Sequence, residues 1–259
     1  MMPRTRILTA ALLSCAFLLT AAAVAQAEET VSIKASFSPD VLGVPTSVFG
    51  SATIGSTNTP LPSPITHVNV LGPAGMGLNL EGSGTCNAEA LERTLETSTC
   101  PVNSRAGTGG GVGVYEIHKE IIKEPFTLEL FLASNRPGHV VLLIFLNGSN
   151  PVSIQLVFTA PVVREPKPYG LGFSVNVPII KVLPEASDAS AVSTFLTIGA
   201  NKKLTYFKKV HGKRKRFHVQ GIIVPKGCPH GGWPVASQFS FEDGSTVTTK
   251  STIPCPGKH

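Results

Sequence analysis

The chain lacks the short motifs on which several common kinds of catalytic and metal site depend. The motifs G-x-S-x-G, H-E-x-x-H and C-x-x-C are absent, and the 259 residues include only one tryptophan. These absences argue against a hydrolase with a nucleophile elbow, a zinc protease and a cysteine zinc site. Carbohydrate-active clefts usually have several aromatic platforms, so the single tryptophan, Trp233, also disfavours that class.

Other polar groups show no spacing that points to chemistry. None of the seven histidines forms an H-x-x-x-H pair, and we predict neither a metal nor a cofactor. The glycine-rich run 107–113 is followed by no Gly-Lys-Ser/Thr, so we interpret it as a flexible segment leading into a strand over 112–117. Glu120 and Glu124 adjoin Lys119 and Lys123, which predicts a solvated hairpin edge. Carboxylates that meet only in space remain open as a hydrolytic pair.

The first 27 residues are typical of a secretory signal peptide. Arg4 and Arg6 precede an apolar run over 7–24, and Ala25-Gln26-Ala27 has small residues where signal peptidase needs them. We expect cleavage after Ala27. Two alternatives are a retained membrane anchor and a lipoprotein in which Leu12-Leu13-Ser14-Cys15 is the lipobox. No later run is long enough to span a bilayer.

Four cysteines remain after the leader, an even number that suits an oxidising compartment. Sequence alone allows three pairings of Cys86, Cys100, Cys228 and Cys255. Proximity favours Cys86–Cys100 and Cys228–Cys255. Zinc binding is the alternative, but the absence of C-x-x-C disfavours it.

Apolar residues alternate with polar ones along most of residues 28–259, which predicts an all-β fold, an antiparallel β-sandwich. Sets that should share a face begin at Val31, Phe126, Val152, Leu171 and Val235 and continue at every second residue. The run 140–146 lacks alternation and should be covered on both faces. Asn147-Gly148, His211-Gly212 and Asp243-Gly244 are predicted hairpin turns.

One short helix is predicted near residues 88–97, capped by Asn87 and bracketed by Cys86 and Cys100. We interpret 28–259 as a single domain. The segments Val31-Ser32-Ile33 and Val152-Ser153-Ile154 are similar to each other. The alternative is therefore a chain of two similar modules, 28–147 and 148–259.

Several segments resemble an uncharacterised family of secreted, β-rich proteins from high-GC soil actinobacteria. The resemblance lies in the stretch from Cys86 to Ser104, the strand 151–158, the run 224–229, and the closing run that includes Phe239, Asp243-Gly244 and 253–256. It implies export and a β fold. It implies no chemistry, because no activity is assigned to that family.

The strongest functional feature is a local concentration of positive charge. Nine of the chain's 22 Lys and Arg residues lie in 202–226, and no Asp or Glu lies between Asp188 and Glu242. A hairpin with 213–216 at its tip would project a positive field. The candidate polyanion-binding residues are Lys208, Lys209, Lys213, Arg214, Lys215 and Arg216.

The alternative for these lysines is a solubilising strand edge that blocks aggregation. The aromatic residues among them, Tyr206, Phe207 and Phe217, are expected to face the core.

These observations favour a secreted, non-catalytic protein associated with the cell envelope or extracellular matrix. Its expected partner is an anionic cell-wall polymer or phospholipid headgroups, and no nucleic-acid motif is present. The alternatives are a polysaccharide-active hydrolase with unidentified carboxylates and a purely structural surface module.

Overall fold

The computed structural model describes residues 28–199 and 201–257, and the predicted leader at 1–27 lies outside them. Within this part the chain forms fifteen strands and one α-helix. The strands are β1 (Glu29–Ser38), β2 (Pro45–Ser56), β3 (Ile65–Pro73), β4 (Gly77–Asn79), β5 (Arg105–Ile117), β6 (Glu120–Arg136), β7 (His139–Gly148), β8 (Ile154–Arg164), β9 (Tyr169–Asn176), β10 (Ser190–Gly199), β11 (Asn201–Val210), β12 (Lys213–Val219), β13 (Gly221–Ile223), β14 (Trp233–Phe241) and β15 (Thr246–Ile253). The helix is α1 (Ala88–Thr94), and two 3₁₀ turns follow at Thr97–Thr99 and Val102–Ser104.

Thirteen strands form one sheet, and β11 and β12 form a separate two-stranded sheet. The order in the large sheet is β15-β14-β3-β9-β8-β7-β6-β5-β10-β2-β13-β4, with β1 paired to β2. Every pairing between these described strands is antiparallel. The all-β, antiparallel prediction is therefore confirmed.

The large sheet curls so that its two ends face each other, which gives a sandwich-like arrangement of two layers. Ala52 and Ile54 of β2 pack with Phe239 and Phe241 of β14 in one buried cluster. Phe37 of β1 meets Trp233 of β14 edge to face, with ring centroids 5.3 Å apart. The apolar inner surface is thus removed from water, which is the main favourable contribution to folding.

The run 140–146 is covered on both faces, as its lack of alternation predicts. Leu142 and Ile144 pack into the interior cluster, whereas Leu143 and Phe145 pack outward against Cys86, Cys100 and Leu91. The outer cover is α1 with its disulfide. This explains why β7 tolerates a continuous apolar sequence in an antiparallel sheet, where one face usually meets water.

The helix is shorter than predicted and ends at Thr94. Asn87 caps its start as expected, accepting a hydrogen bond from the Ala90 N–H at 3.0 Å. Leu95 then adopts a left-handed conformation with φ 53°, and its N–H bonds to Leu91 O at 2.8 Å. This left-handed cap stops the helix without the glycine that usually marks such an end in a sequence.

The predicted disulfide pairs are both present, Cys86–Cys100 and Cys228–Cys255. The first fixes α1 and the 3₁₀ turns against the sheet. The second joins the segment after β13 to the segment after β15, next to Trp233, whose Nε1–H donates to Gly227 O at 3.0 Å. None of the helical segments in the described residues has the length and apolar character that a bilayer crossing needs.

The glycine-rich run is not a flexible lead-in but an integral part of β5. Gly107, Gly109 and Gly111 pair with β10 on one side and β6 on the other. A Cβ at any of the three would overlap a backbone carbonyl of β10. Glycine is therefore required because the backbone of β10 approaches β5 too closely for a Cβ, a role that strand glycines often have.

The hairpin between β7 and β8 exists, but Asn147-Gly148 is not its turn. Both residues belong to β7, and Gly148 pairs with Ile154. The chain turns over 149–153, where the buried carboxylate of Glu124 accepts the N–H groups of Asn150 at 2.8 Å and Val152 at 3.1 Å. The prediction of a solvated edge is therefore wrong for Glu124. The neighbouring Lys123, on which that prediction was based, does not indicate that Glu124 binds the backbone of this turn.

We predict that Gly109→Ala destabilises the fold. The added Cβ would overlap Phe195 O and crowd Leu196, and both belong to β10. Overpacking of this kind costs roughly 1–3 kcal/mol of the free energy of unfolding, measurable by urea denaturation.

Gly50→Ala is the matched control, because a Cβ at Gly50 of β2 has no atom within 4 Å. It should leave stability unchanged or raise it by up to about 1 kcal/mol, since alanine restricts the unfolded chain. Equal stability of the two variants would contradict the close approach of the β10 backbone to Gly109.

Glu29 is a buried carboxyl group at the start of β1. Its Oε1 accepts the Ser63 N–H at 2.9 Å, while Oε2 has no hydrogen-bond partner. Burial raises its pKa above the usual 4.5; the Ser63 hydrogen bond lowers it in part, and the negative charge of Asp243 raises it further. The folded protein therefore favours the protonated form of Glu29 more than the unfolded chain does.

The sign of the pH effect follows from this raised pKa. Glu29 contributes its full stabilisation below the unfolded pKa and loses it as pH rises through the folded pKa. We predict that Glu29→Gln is more stable than the wild type at pH 7, and that the difference shrinks towards pH 4. Urea denaturation at several pH values measures this, with Glu28→Gln as the exposed control. A constant difference at all pH values would contradict the assignment.

Candidate functional site: the basic hairpin

The candidate site is the hairpin of β11 and β12, which stands outside the main sheet. His211 and Gly212 have φ angles of 50° and 76° and form the predicted two-residue turn. This combination of two positive angles matches the twist of a tight hairpin. The segment 213–216 is the first part of β12 rather than the tip itself, and it pairs with the residues from Phe207 to Val210.

One face of the hairpin docks on the turn that follows β4. The Tyr206 and Phe217 rings stack with centroids 5.7 Å apart. The Tyr206 ring also lies against Gly82, where an added Cβ would overlap it and where φ is +82°. Lys208 Nζ lies 2.7 Å from Glu81 Oε1. This contact raises the pKa of Lys208 and lowers that of Glu81, and the charge of Lys208 is thus largely compensated.

The opposite face of the hairpin carries Phe207, Lys209, Arg214 and Arg216, and we call it the cationic face. Cross-strand partners project on the same side of a sheet, and the register pairs Phe207 with Arg216 and Lys209 with Arg214. All four side chains are exposed. The Arg214 guanidinium lies over the Phe207 ring, 4.1 Å from its centroid.

The charges on this face are uncompensated. None of its three cations forms an ion pair with another residue in the described ranges. Lys209 and Arg214 are directly opposed, an arrangement of like charges that destabilises a strand pair. The opposed charges do not stabilise the hairpin, so the reason for them lies in solubility or binding.

The structure therefore divides the six predicted binding residues into two groups. Lys209, Arg214 and Arg216 share the cationic face, whereas Lys208, Lys213 and Lys215 project from the other side. Lys202 and Lys203 lie on β11, but their side chains are outside what the structure describes.

The expectation that all three aromatic residues face the core is wrong for Phe207, which is 55% exposed. The alternation of side chains along a strand predicts that Phe207 and Tyr206 point to opposite faces of the hairpin. It does not predict that the Tyr206 face is the one that docks.

A cleft of about 380 Å³ lies near the turn between β5 and β6. Glu116 and His118 line it together with Glu185 and Ser187. The side chains of Glu116 and Glu185 are far apart in sequence, and only the tertiary structure brings them to one cleft. Among the described residues, no group of three or more side chains has an arrangement that would hold a metal ion.

No protein-family model, curated protein or solved structure matches this chain.

Proposed function

We propose that this is an exported, non-catalytic protein of the cell envelope that binds an anionic polymer through the cationic face. The observation that carries the proposal is the group of Lys209, Arg214 and Arg216, three exposed cations on one face without an acidic partner in the described chain. Export is supported by the leader pattern at 1–27 and by the two disulfides. Membership of the actinobacterial family stays a prediction.

The geometry favours a polymer over a small anion. The three cations lie along two paired strands, and their side chains are exposed to solvent. Such a row of charges suits repeated phosphate or carboxylate groups, and arginine recognises both well through its planar guanidinium. Phe207 adds an exposed aromatic surface beside the charges. Each contact would displace counterions from the polymer, and binding would then weaken as salt increases.

We predict that the triple variant Lys209→Gln, Arg214→Gln, Arg216→Gln loses binding to immobilised polyphosphate. Three contacts to a flexible polyanion give a salt slope of about −2, which is roughly a 20-fold loss of affinity between 50 and 200 mM salt. The variant should bind at least about tenfold more weakly at low salt and show a flatter slope. Column retention of the protein lacking residues 1–27 measures both.

The matched control removes the same net charge elsewhere, with Lys123→Gln, Lys167→Gln and Lys250→Gln on three other exposed sites. It should bind like the wild type. An equal loss in both triple variants would show that only net charge matters and would contradict the site. Vesicles of phosphatidylglycerol in a parallel assay test the other partner; a clear preference for them would replace the polymer by lipid headgroups.

The hydrolase hypothesis is favoured by one observation, the cleft that contains Glu116 and Glu185. Glycoside hydrolysis needs two carboxyl groups on opposite sides of the scissile bond. Release of reducing sugar from wall polysaccharide that disappears in both Glu116→Gln and Glu185→Gln would establish this function instead. Retention on polyphosphate without such release supports the binding function.

A further inference from the structure

The interior of the curled sheet contains a cavity of about 400 Å³. Inward-facing side chains of both layers line it, including Leu128, Leu142, Phe158, Phe173, Leu196 and Val235. The lining is almost entirely aliphatic and aromatic. The cavity lies between the two layers, on the side of the sheet opposite α1.

A cavity of this size requires an explanation, because protein interiors are normally packed with few voids larger than a water molecule. Apolar cavities of about 150 Å³ stay dry and bind small apolar molecules. Sites for small ligands usually span about 300–1,000 Å³ and have mostly hydrophobic walls. The interior therefore has the volume and the chemistry of a binding site rather than of a packing defect.

The polar residues of the lining indicate which part of a ligand would lie inside. Glu124 is 4% exposed, and its carboxylate already accepts two backbone N–H groups. Arg105 is paired with Glu129. Tyr115 is buried next to Glu124, and burial together with that negative charge raises the pKa of its hydroxyl. Glu124 and Arg105 are thus satisfied by the protein, and the remaining charged residue of the lining, Lys34 of β1, is exposed to solvent rather than buried in the interior.

We propose that this cavity binds the alkyl chain of a fatty acid or of another single-chain lipid. An apolar space between two sheet layers suits a flexible hydrocarbon chain, and an anionic headgroup inside it would be repelled by the buried carboxylate of Glu124. The headgroup therefore stays outside the apolar interior. This site is separate from the cationic face, and the two proposals are independent.

The first experiment measures the affinity of the mature protein for octanoate, decanoate, dodecanoate and hexadecanoate by isothermal titration calorimetry below their micelle concentrations. Each added methylene should tighten binding about fourfold, which corresponds to roughly 0.8 kcal/mol per buried CH₂, until the chain outgrows the cavity. Dodecanol and a lysophosphatidylglycerol with the same chain distinguish a free fatty acid from a lipid as the source. Affinities that do not depend on chain length would overturn the proposal.

The second experiment fills the cavity. Val162→Phe places a larger side chain in the lining, whereas Thr159→Phe makes a similar change at an exposed position of the same strand, β8. Val162→Phe should weaken dodecanoate binding at least tenfold, and Thr159→Phe should change it less than twofold.

If Val162→Phe fails to fold, Val70→Phe fills the cavity from β3, which is separated from β8 by β9. Equal affinities of a folded cavity-filling variant and Thr159→Phe would contradict the assignment. The triple variant of the cationic face should bind dodecanoate like the wild type, since the two sites are separate; a matching loss would also contradict it.

Discussion

The contact between the two ends of the curled sheet determines the interior of this protein. Phe37 and Trp233 meet edge to face, and both belong to a buried cluster with Val224, Val235 and Ile253. If this contact opened, the inner surfaces of the first and last strands would meet water. The Cys228–Cys255 disulfide lies beside the cluster and restricts the same region in the unfolded chain. The buried cluster and the disulfide therefore both stabilise the contact between the two ends of the sheet.

The two proposed sites lie in different parts of the fold, one inside the curled sheet and one on the separate hairpin. The glycines of β5 permit the close approach of the β10 backbone, and the two layers enclose an apolar space. The hairpin of β11 and β12 takes no part in the large sheet, so its outer surface is free to carry unpaired cations. The two proposals are therefore compatible, because the cationic face and the apolar cavity lie in different parts of the fold.

Much of the fold was predictable from local patterns, whereas the interior was not. Alternation from Leu171 identifies residues that do face inward, and Asn87 and Asp243-Gly244 mark a real helix cap and a real turn. Strand order depends on distant pairings, such as β10 between β5 and β2, which no local pattern encodes. Alternation also identifies which residues face inward, but it does not give the distance between the two layers. It therefore does not predict the cavity. Charge clustering located the hairpin, but only the register of β11 and β12 determines which cations share a face.

The fluorescence of Trp233 is the most direct test of the contact between the two ends of the sheet, because this is the chain's single tryptophan and it is 1% exposed. The account predicts blue-shifted emission and strong protection from acrylamide in the native protein. Both should be lost on unfolding, in the same transition that the far-ultraviolet circular dichroism follows. Native emission like that of free tryptophan in water, with full quenching by acrylamide, would contradict a sheet whose two ends pack together.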